Sequence, residues 1–104
     1  MGYNGFMFKV LTTPQFDEWL DGLRDPVGCA AINLRIERAK LGNLGQWRAV
    51  GDGVNEMKID VGPGYRAYFV RRGKIIVVVL CGGDKSTQKK DIRVAKQIAG
   101  ELED

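Results

Sequence analysis

The sequence contains no histidine, which removes the commonest general base and the commonest metal ligand from consideration. It has only two cysteines, Cys29 and Cys81, far apart and without the C-x-x-C spacing of redox or zinc sites. Each lies in an apolar segment, so both are expected to be reduced, buried thiols; a single disulfide is the alternative. No metal and no cofactor are therefore expected.

Long apolar runs are also missing. The longest strongly apolar run, Ile75–Cys81, is far too short to span a bilayer. The N-terminal residues lack the charged region and uninterrupted apolar stretch of a signal peptide. The glycine-rich turns lack the G-x-G-x-x-G and P-loop spacings, so no nucleotide-phosphate loop is expected. These absences favour a cytoplasmic protein.

The chain has 104 residues, which predicts a single domain over residues 1–104 with one modest core. Its formal net charge of +3 is unevenly distributed. The segment Arg66–Lys96 holds nine basic residues against Asp84 and Asp91, a net charge of +7. Such a segment is typical of a surface that binds nucleic acid or an acidic protein, and a solvated lysine-rich face is the alternative.

The first half of the chain predicts a strand and two helices. Phe6–Leu11 reads as the strand. Thr12-Thr13-Pro14 and Asp25-Pro26 are both helix starts, because each places a capping side chain before a proline. The second helix is expected to end at Gly42-Asn43. Apolar residues at helical spacing indicate the buried faces of this helical hairpin: Phe16, Trp19, Leu20 and Leu23 in the first helix, and Ile32, Ile36 and Ala39 in the second.

The second half has the period of two that indicates strands. Short strands are predicted around Trp47, over Glu56–Val61 and Tyr65–Val70, and over Ile75–Leu80, followed by a helix capped by Ser86 or Thr87. The order β-αα-ββββ-α predicts an α+β fold with an antiparallel-rich sheet. The hairpin should cover one sheet face and leave the other partly open. The expected core includes Trp19, Leu20, Ile36, Trp47, Ile59, Phe69 and Val78.

Two basic residues interrupt this pattern. Arg66 lies inside a strand, where an arginine is costly unless its face meets water or an anion. Lys85 follows the next strand on a glycine-rich turn. Together they indicate a phosphate-facing cleft on the open side of the sheet, to which Lys58 also alternates. In the alternative, Arg66 pairs across the sheet with Asp60 or Glu56.

The order of elements and several short motifs resemble the RelE/ParE superfamily of bacterial toxin–antitoxin toxins, in particular the HigB-like branch of addiction-module killer proteins. Taken together, the motifs cover nearly the whole chain. They are Phe16–Leu23, Arg35-Ile36-Glu37-Arg38, Gly42-Asn43-Leu44-Gly45, Val50–Glu56, Gly62–Phe69 and Gly82–Gln88.

The resemblance implies a RelE-like fold and a toxin held inactive by a cognate helix-turn-helix (HigA-like) antitoxin. Many members of the superfamily cleave ribosome-bound messenger RNA, whereas ParE-like members inhibit DNA gyrase. The family's phosphate-binding arginine matches Arg66, and its other basic site residues match Lys58 and Lys85. Two family features are missing, namely the tyrosine near the last helix and the histidines of some HigB relatives.

The expected reaction is attack of the ribose 2′-oxygen on the adjacent phosphorus, without metal. Arg66 would stabilise the phosphate charge, because its guanidinium stays cationic and binds oxygens bidentately. Lys58 is the expected base, since a lysine beside other cations loses its proton more readily. Lys85 would be a second stabiliser or a proton donor. Further RNA contacts are predicted from Tyr68, by stacking on a base, and from Arg71, Arg72, Lys89 and Lys90. The alternatives are a ParE-like gyrase inhibitor and a basic protein-binding module.

Overall fold

The computed structural model describes residues 7–73 and 76–102. It contains five strands, β1 (Lys9–Thr12), β2 (Trp47–Gly51), β3 (Val54–Ile59), β4 (Tyr65–Arg72) and β5 (Ile76–Asp84). Three helices accompany them, α1 (Pro14–Asp21), α2 (Pro26–Lys40) and α3 (Gln88–Glu101), with a 3-10 turn at Lys85–Thr87 before α3. The predicted α+β class and the order β-αα-ββββ-α are confirmed. The predicted first strand is shifted, because it begins at Lys9; Phe6 and Ile75 lie outside the described residues.

The strands form one sheet in the order β1-β5-β4-β3-β2. β1 pairs with β5 in parallel, and the other neighbouring strands pair antiparallel. One β-bulge interrupts the β4–β5 ladder. Tyr68 pairs with Cys81 and Phe69 with Val79, so Leu80 is an extra residue. A bulge of this kind puts two consecutive residues on one side of a sheet, and Leu80 and Cys81 both belong to the core below α3.

The predicted caps start both helices of the hairpin. The Thr13 side chain accepts a hydrogen bond from the Phe16 amide at 3.1 Å, and Asp25 accepts one from Gly28 at 3.0 Å. Each cap is worth about 1 kcal/mol. The Asp25 carboxylate also accepts a hydrogen bond from the Tyr65 hydroxyl in β4. This hydrogen bond therefore ties the start of α2 to the sheet.

The helical hairpin covers one sheet face, as predicted. Ile36, Ile59 and Phe69 are buried there, whereas Trp19 and Leu20 are only partly buried at the edge of the cluster. Burial of each large apolar side chain contributes about 1.5–3 kcal/mol. Trp47 contradicts its predicted place in the core, since 43% of it is exposed. Its strand β2 is the last of the sheet, and its ring packs edge-on against Phe69, with centroids 6.0 Å apart.

The opposite sheet face is more covered than predicted. Helix α3 packs on it and forms a second core cluster with β3, β4 and β5. Ala95 and Ile98 are buried in the contact, and Val78, expected to be core, is partly buried beside them. The amphipathic stripe of α3 needs an apolar partner, and this face supplies it. The end of the face near the start of α3 stays open.

Two consecutive glycines of β5 allow close approach on both sheet faces. A Cβ on Gly82 would lie 2.4 Å from the Trp19 ring, on the hairpin side. A Cβ on Gly83 would lie 1.8 Å from an Asp91 carboxylate oxygen, on the α3 side. Both distances are far below van der Waals contact, so only glycine fits at either position without displacement of a neighbour.

Candidate functional site

Strand register brings two of the predicted site residues side by side. Lys58 on β3 pairs directly with Arg66 on β4, and Arg66 pairs in turn with Gly83 on β5. Directly opposed residues of antiparallel strands have Cβ atoms about 4.5–5.5 Å apart. Lys58 and Arg66 are therefore adjacent on the sheet face that α3 covers in part, at the end of that face beyond the start of α3.

The Arg66 side chain is almost fully buried, with 8% of it exposed. Its Nη1 donates to the Gly64 carbonyl at 2.8 Å. Its Nε lies 3.8 Å from an oxygen of Glu56 and has no hydrogen-bond partner among the described residues. A buried guanidinium with an unused donor is costly. The buried Nε thus lies toward Glu56 at a distance longer than a hydrogen bond.

Glu56 is a buried carboxylate, 3% exposed, that joins the strands to α3. It accepts hydrogen bonds from Arg48 Nε at 2.9 Å, from the Tyr68 hydroxyl at 3.1 Å and from Gln88 Nε2 at 2.8 Å. Burial raises the pKa of Glu56, but the hydrogen bonds from Arg48, Gln88 and Tyr68 outweigh burial and leave that pKa below its ordinary value. An acceptor this saturated holds its donors in place and is poorly suited to take a proton from a substrate.

These side chains form a cleft with a volume of about 280 Å³. It lies at the open end of the α3-facing sheet surface, between β2, β3, β4 and the first residue of α3. Its cations are Arg48, Lys58 and Arg66, and Glu56 is its one anion. A negatively charged phosphate group is complementary to this excess of positive charge. The lining residues are Gln46, Trp47, Arg48, Glu56, Lys58, Arg66 and Gln88.

Lys85 is not among the residues that line this cleft. It is nevertheless near Arg66, because a Cβ built on Gly64 would lie 4.0 Å from the Lys85 Cβ and 3.2 Å from Arg66 Nη1, and its predicted contact with the same phosphate stays a prediction. The Asp84 side chain accepts a hydrogen bond from the Ser86 amide at 2.8 Å and turns the chain into the 3-10 turn. Lys85 therefore lines a neighbouring surface depression. Gln88 belongs to both the depression and the cleft. The depression is lined by Lys85, Ser86, Thr87, Gln88, Lys89, Lys90 and Arg93.

Tyr68 contradicts its predicted role in stacking on an RNA base. It is fully buried under α3, with 0% exposed, and its hydroxyl is bound to Glu56. Burial, and secondly the charge of Glu56, raise the pKa of Tyr68 well above its ordinary value. Period-two alternation places Tyr68 on the same face as Arg66, but α3 covers that part of the face. Tyr68 is therefore a core residue that supports the cleft from below.

The other predicted RNA contacts are spread over the surface. Arg71 and Arg72 are at the far end of β4, beside a third depression near the end of α3. The Arg71 guanidinium lies 4.9 Å from the centre of the Phe8 ring. Lys89 and Lys90 are exposed at the start of α3. The structure thus unites Lys58 with Arg66, and their assignment to catalysis or RNA binding stays a prediction.

Sequence reasoning did not single out Arg48, Glu56 and Gln88 as site residues. Glu56 carried a usable signal, since it alternates to the same face as Lys58 two positions away. Arg48 carried the same signal on the neighbouring strand, where it pairs with Glu56. Gln88 had none, because its approach to Glu56 depends on where α3 starts against the sheet.

Other kinds of site were also sought in residues 7–73 and 76–102. Within these ranges no group of three or more cysteine, aspartate or glutamate side chains is placed to hold a metal ion. Both cysteines are free, and burial raises the pKa of Cys81 to about 12. No helix in the described part of the chain has the length and apolar character needed to cross a membrane.

Comparison with known proteins supports the fold. No family model matches the sequence. The chain is 48% identical over 94 residues to an uncharacterized protein of Haemophilus influenzae, covering 90% of this chain and 95% of that protein. It is structurally similar to a conserved hypothetical protein of Helicobacter pylori solved in solution, with a TM-score of 0.56 and 19% identity over 77% of this chain and 97% of that one. The predicted RelE-like fold is confirmed by this likeness, which at such low identity concerns the fold alone.

Proposed function

The chain belongs to the same protein family as the Haemophilus influenzae protein and has a RelE-like fold, and on that premise we propose that it is the toxin of a HigB-like toxin–antitoxin module. Its proposed activity is metal-independent cleavage of ribosome-bound messenger RNA. One observation carries the proposal, the pairing of Arg66 with Lys58 in a cleft whose lining is mainly cationic. The proposed target places the protein in the cytoplasm.

The proposed reaction uses Lys58 and Arg66 in different roles. Lys58, in its neutral form, takes the proton of the ribose 2′-hydroxyl. The 2′-oxygen forms a bond to phosphorus while the bond from phosphorus to the 5′-oxygen breaks, leaving a cyclic phosphate. The departing 5′-oxygen takes a proton from solvent. Arg66 stabilises the charge that develops on the phosphate oxygens, because its donors are already in place in a partly desolvated cleft.

Arg48 and Glu56 complete the proposed site. Arg48 adds a third cation and is held by the carboxylate of Glu56. Glu56 also bonds Gln88 and Tyr68, so it fixes the relative positions of β2, β4 and α3 around the phosphate. In this arrangement Glu56 is a positioning residue. Lys85 and the lysines of α3 are proposed to bind phosphates further along the RNA.

Mapping transcript ends after brief expression tests the proposal. New 5′-hydroxyl ends inside reading frames are expected. Arg66→Ala should reduce their formation about 10²–10³-fold, the scale for losing one charge-stabilising donor. Arg66→Lys should restore only part of the activity, since the bidentate fork is absent. Arg24→Ala is the matched control, because Arg24 is an exposed arginine in the loop between α1 and α2.

A folded Arg66→Ala variant that stays fully toxic would overturn the nuclease assignment. Intact messages together with broken chromosomal DNA would do the same, and would support the gyrase-inhibitor alternative instead. Folding of each variant should be checked by thermal unfolding before activity is compared.

We further propose that a small helix-turn-helix antitoxin neutralises the protein by covering its basic surface. An acidic or amphipathic partner would gain both long-range attraction and contact area from the segment Arg66–Lys96. Co-expression with the adjacent small reading frame should relieve growth arrest, and the two proteins should purify together. If neither is observed, the proposed antitoxin is rejected and the assignment as a toxin is weakened.

A further inference from the structure

Helix α2 carries an arginine whose contacts have no place in the proposed chemistry. Arg35 is partly buried and donates to three backbone carbonyls. Its Nη1 bonds the carbonyl of Lys58. Its Nη2 lies 3.1 Å from the carbonyls of both Leu44 and Gln46. Two of these carbonyls belong to residues that line the cleft. From outside the cleft, the Arg35 guanidinium thus fixes the backbone of two lining residues, Lys58 and Gln46.

The position of these contacts explains why an arginine is needed. The β2–β3 ladder ends where Trp47 pairs with Met57, one residue before Lys58. Past that point the Lys58 amide still donates to the Gln46 carbonyl, at 3.2 Å. The Lys58 carbonyl lies past the end of this ladder and accepts from Arg35, which also gives the Gln46 carbonyl a second donor. Its planar fork of five N–H groups can bond several acceptors at once, which a lysine ammonium cannot match with the same geometry.

Gly45 is shaped to this guanidinium. It lies between Leu44 and Gln46 with a φ of +65°, and a Cβ built there would lie 2.6 Å from Arg35 Nη2. The loop thus folds closely around the arginine. A larger residue at position 45 would have to displace Arg35.

From these contacts we infer that Arg35 is a positioning residue, which fixes the backbone of Lys58 so that its side chain faces the phosphate held by Arg66. The catalytic part of this inference rests on the proposed function. The contacts between Arg35 and the backbone carbonyls depend only on the fold. A shift of about 1 Å in a reacting group is enough to cost about 10²-fold in rate. Loss of the contacts to Lys58 should therefore lower turnover while leaving RNA binding nearly unchanged.

Arg35→Lys and Gly45→Ala test the inference from its two sides. Gly53→Ala is the matched control for the glycine, because Gly53 also has a positive φ, +77°, but nothing lies within 4 Å of the place that its Cβ would occupy. Arg24→Lys is the control for the arginine. Amide hydrogen exchange at Lys58 is measured in each full-length variant, followed by kcat and KM for cleavage of messenger RNA bound to purified ribosomes.

Both test variants should speed exchange at Lys58 about tenfold or more, with β4 and β5 unchanged, and lower kcat about 10- to 100-fold at nearly constant KM. Neither control should do so. The inference is overturned if exchange at Lys58 is unchanged, if exchange rises throughout the sheet, or if KM rises while kcat is constant. If the wild-type protein cleaves no RNA, the proposed function fails. The positional claim is then decided by amide exchange at Lys58, which Arg35→Lys should speed and Arg24→Lys should not.

Discussion

The α3-facing surface of the sheet has two halves of opposite character. In the covered half, Tyr68 lies under α3 with Val54 and Leu80, and all three are 0% exposed. In the open half, Lys58 and Arg66 line a cationic cleft. Arg66 and Tyr68 are two positions apart on one strand and point to the same side. Alternation therefore determines which face a residue takes, and the reach of the covering helix determines whether that residue packs in a core or meets a ligand.

Glu56 lies at the boundary between the two halves. It accepts a hydrogen bond from the Tyr68 hydroxyl in the covered half. One of its carboxylate oxygens lies 3.8 Å from Arg66 Nε in the open half. The core and the cleft are thus joined through one buried carboxylate. Substitutions on either side of Glu56 show how far stability and activity can be separated.

The largest effect is expected in the covered half. Tyr68→Ala should lower the free energy of unfolding by about 3–5 kcal/mol, because it leaves a cavity under α3. Denaturant unfolding measures this change. Val94→Ala on the exposed side of α3, where 38% of the side chain is exposed, should change stability by less than about 0.5 kcal/mol. A loss below about 1 kcal/mol for Tyr68→Ala would mean that α3 does not pack as described.

The next largest effect is expected in the open half, on activity alone. Lys58→Ala should lower kcat for RNA cleavage about 10²-fold, because the proposed base is lost. Its unfolding free energy should match the wild type. Lys40→Ala is the control, since Lys40 lies on α2 and pairs only with Glu37 at the surface. A folded Lys58→Ala variant with unaltered kcat would remove Lys58 from the role of base.

A smaller effect is expected when a residue of the covered half loses its hydrogen bond to Glu56. Tyr68→Phe keeps the ring and removes only the hydroxyl that donates to Glu56 at 3.1 Å. The loss should cost about 1 kcal/mol in unfolding free energy, the net value of one hydrogen bond. Activity should fall less than for Lys58→Ala, because Arg48 and Gln88 still hold the carboxylate. Loss of activity equal to that of Lys58→Ala would show that the halves are not separable.

The smallest effect is expected on the free energy of unfolding at acidic pH. The folded pKa of Glu56 lies below its ordinary value of 4.5, so its ionised form adds stability above that pH. This contribution is lost as pH falls through the folded pKa. Unfolding measured from neutral pH down to about pH 3 should show a steeper loss in the wild type than in Glu56→Gln. Equal slopes would mean that the carboxylate contributes no net stability.

Local signals predicted most of the fold. Thr13-Pro14 and Asp25-Pro26 begin both hairpin helices as expected, since a cap and a proline act through neighbouring residues only. Period-two alternation also placed Lys58 and Arg66 on one face. The failures concern distant contacts. Trp47 was expected in the core, but its strand is the last of the sheet, and nothing local distinguishes an edge strand from a central one.

The site was predicted only in part for the same reason. Tyr68 and Arg66 carry identical alternation signals, and only the docking of α3 separates them. Lys85 follows β5 closely in sequence, yet the Asp84 cap turns it into the neighbouring depression. Gln88 reaches Glu56 across 32 residues of sequence. Contacts of this range depend on the assembled tertiary structure.

The bulge at Leu80 also bears on how the chain can change in length. Because Cys81 and Val79 already pair with adjacent residues of β4, deletion of Leu80 alone would leave an unbroken β4–β5 ladder. It would remove one buried side chain and the carbonyl that accepts a hydrogen bond from the Thr13 hydroxyl at 2.6 Å. A one-residue deletion elsewhere in β5 would shift the register and send alternate side chains to the wrong face. Larger residues would then meet Trp19 and Asp91 where glycines now stand. Position 80 is therefore where relatives of this protein can lose a residue from β5 and keep the cleft.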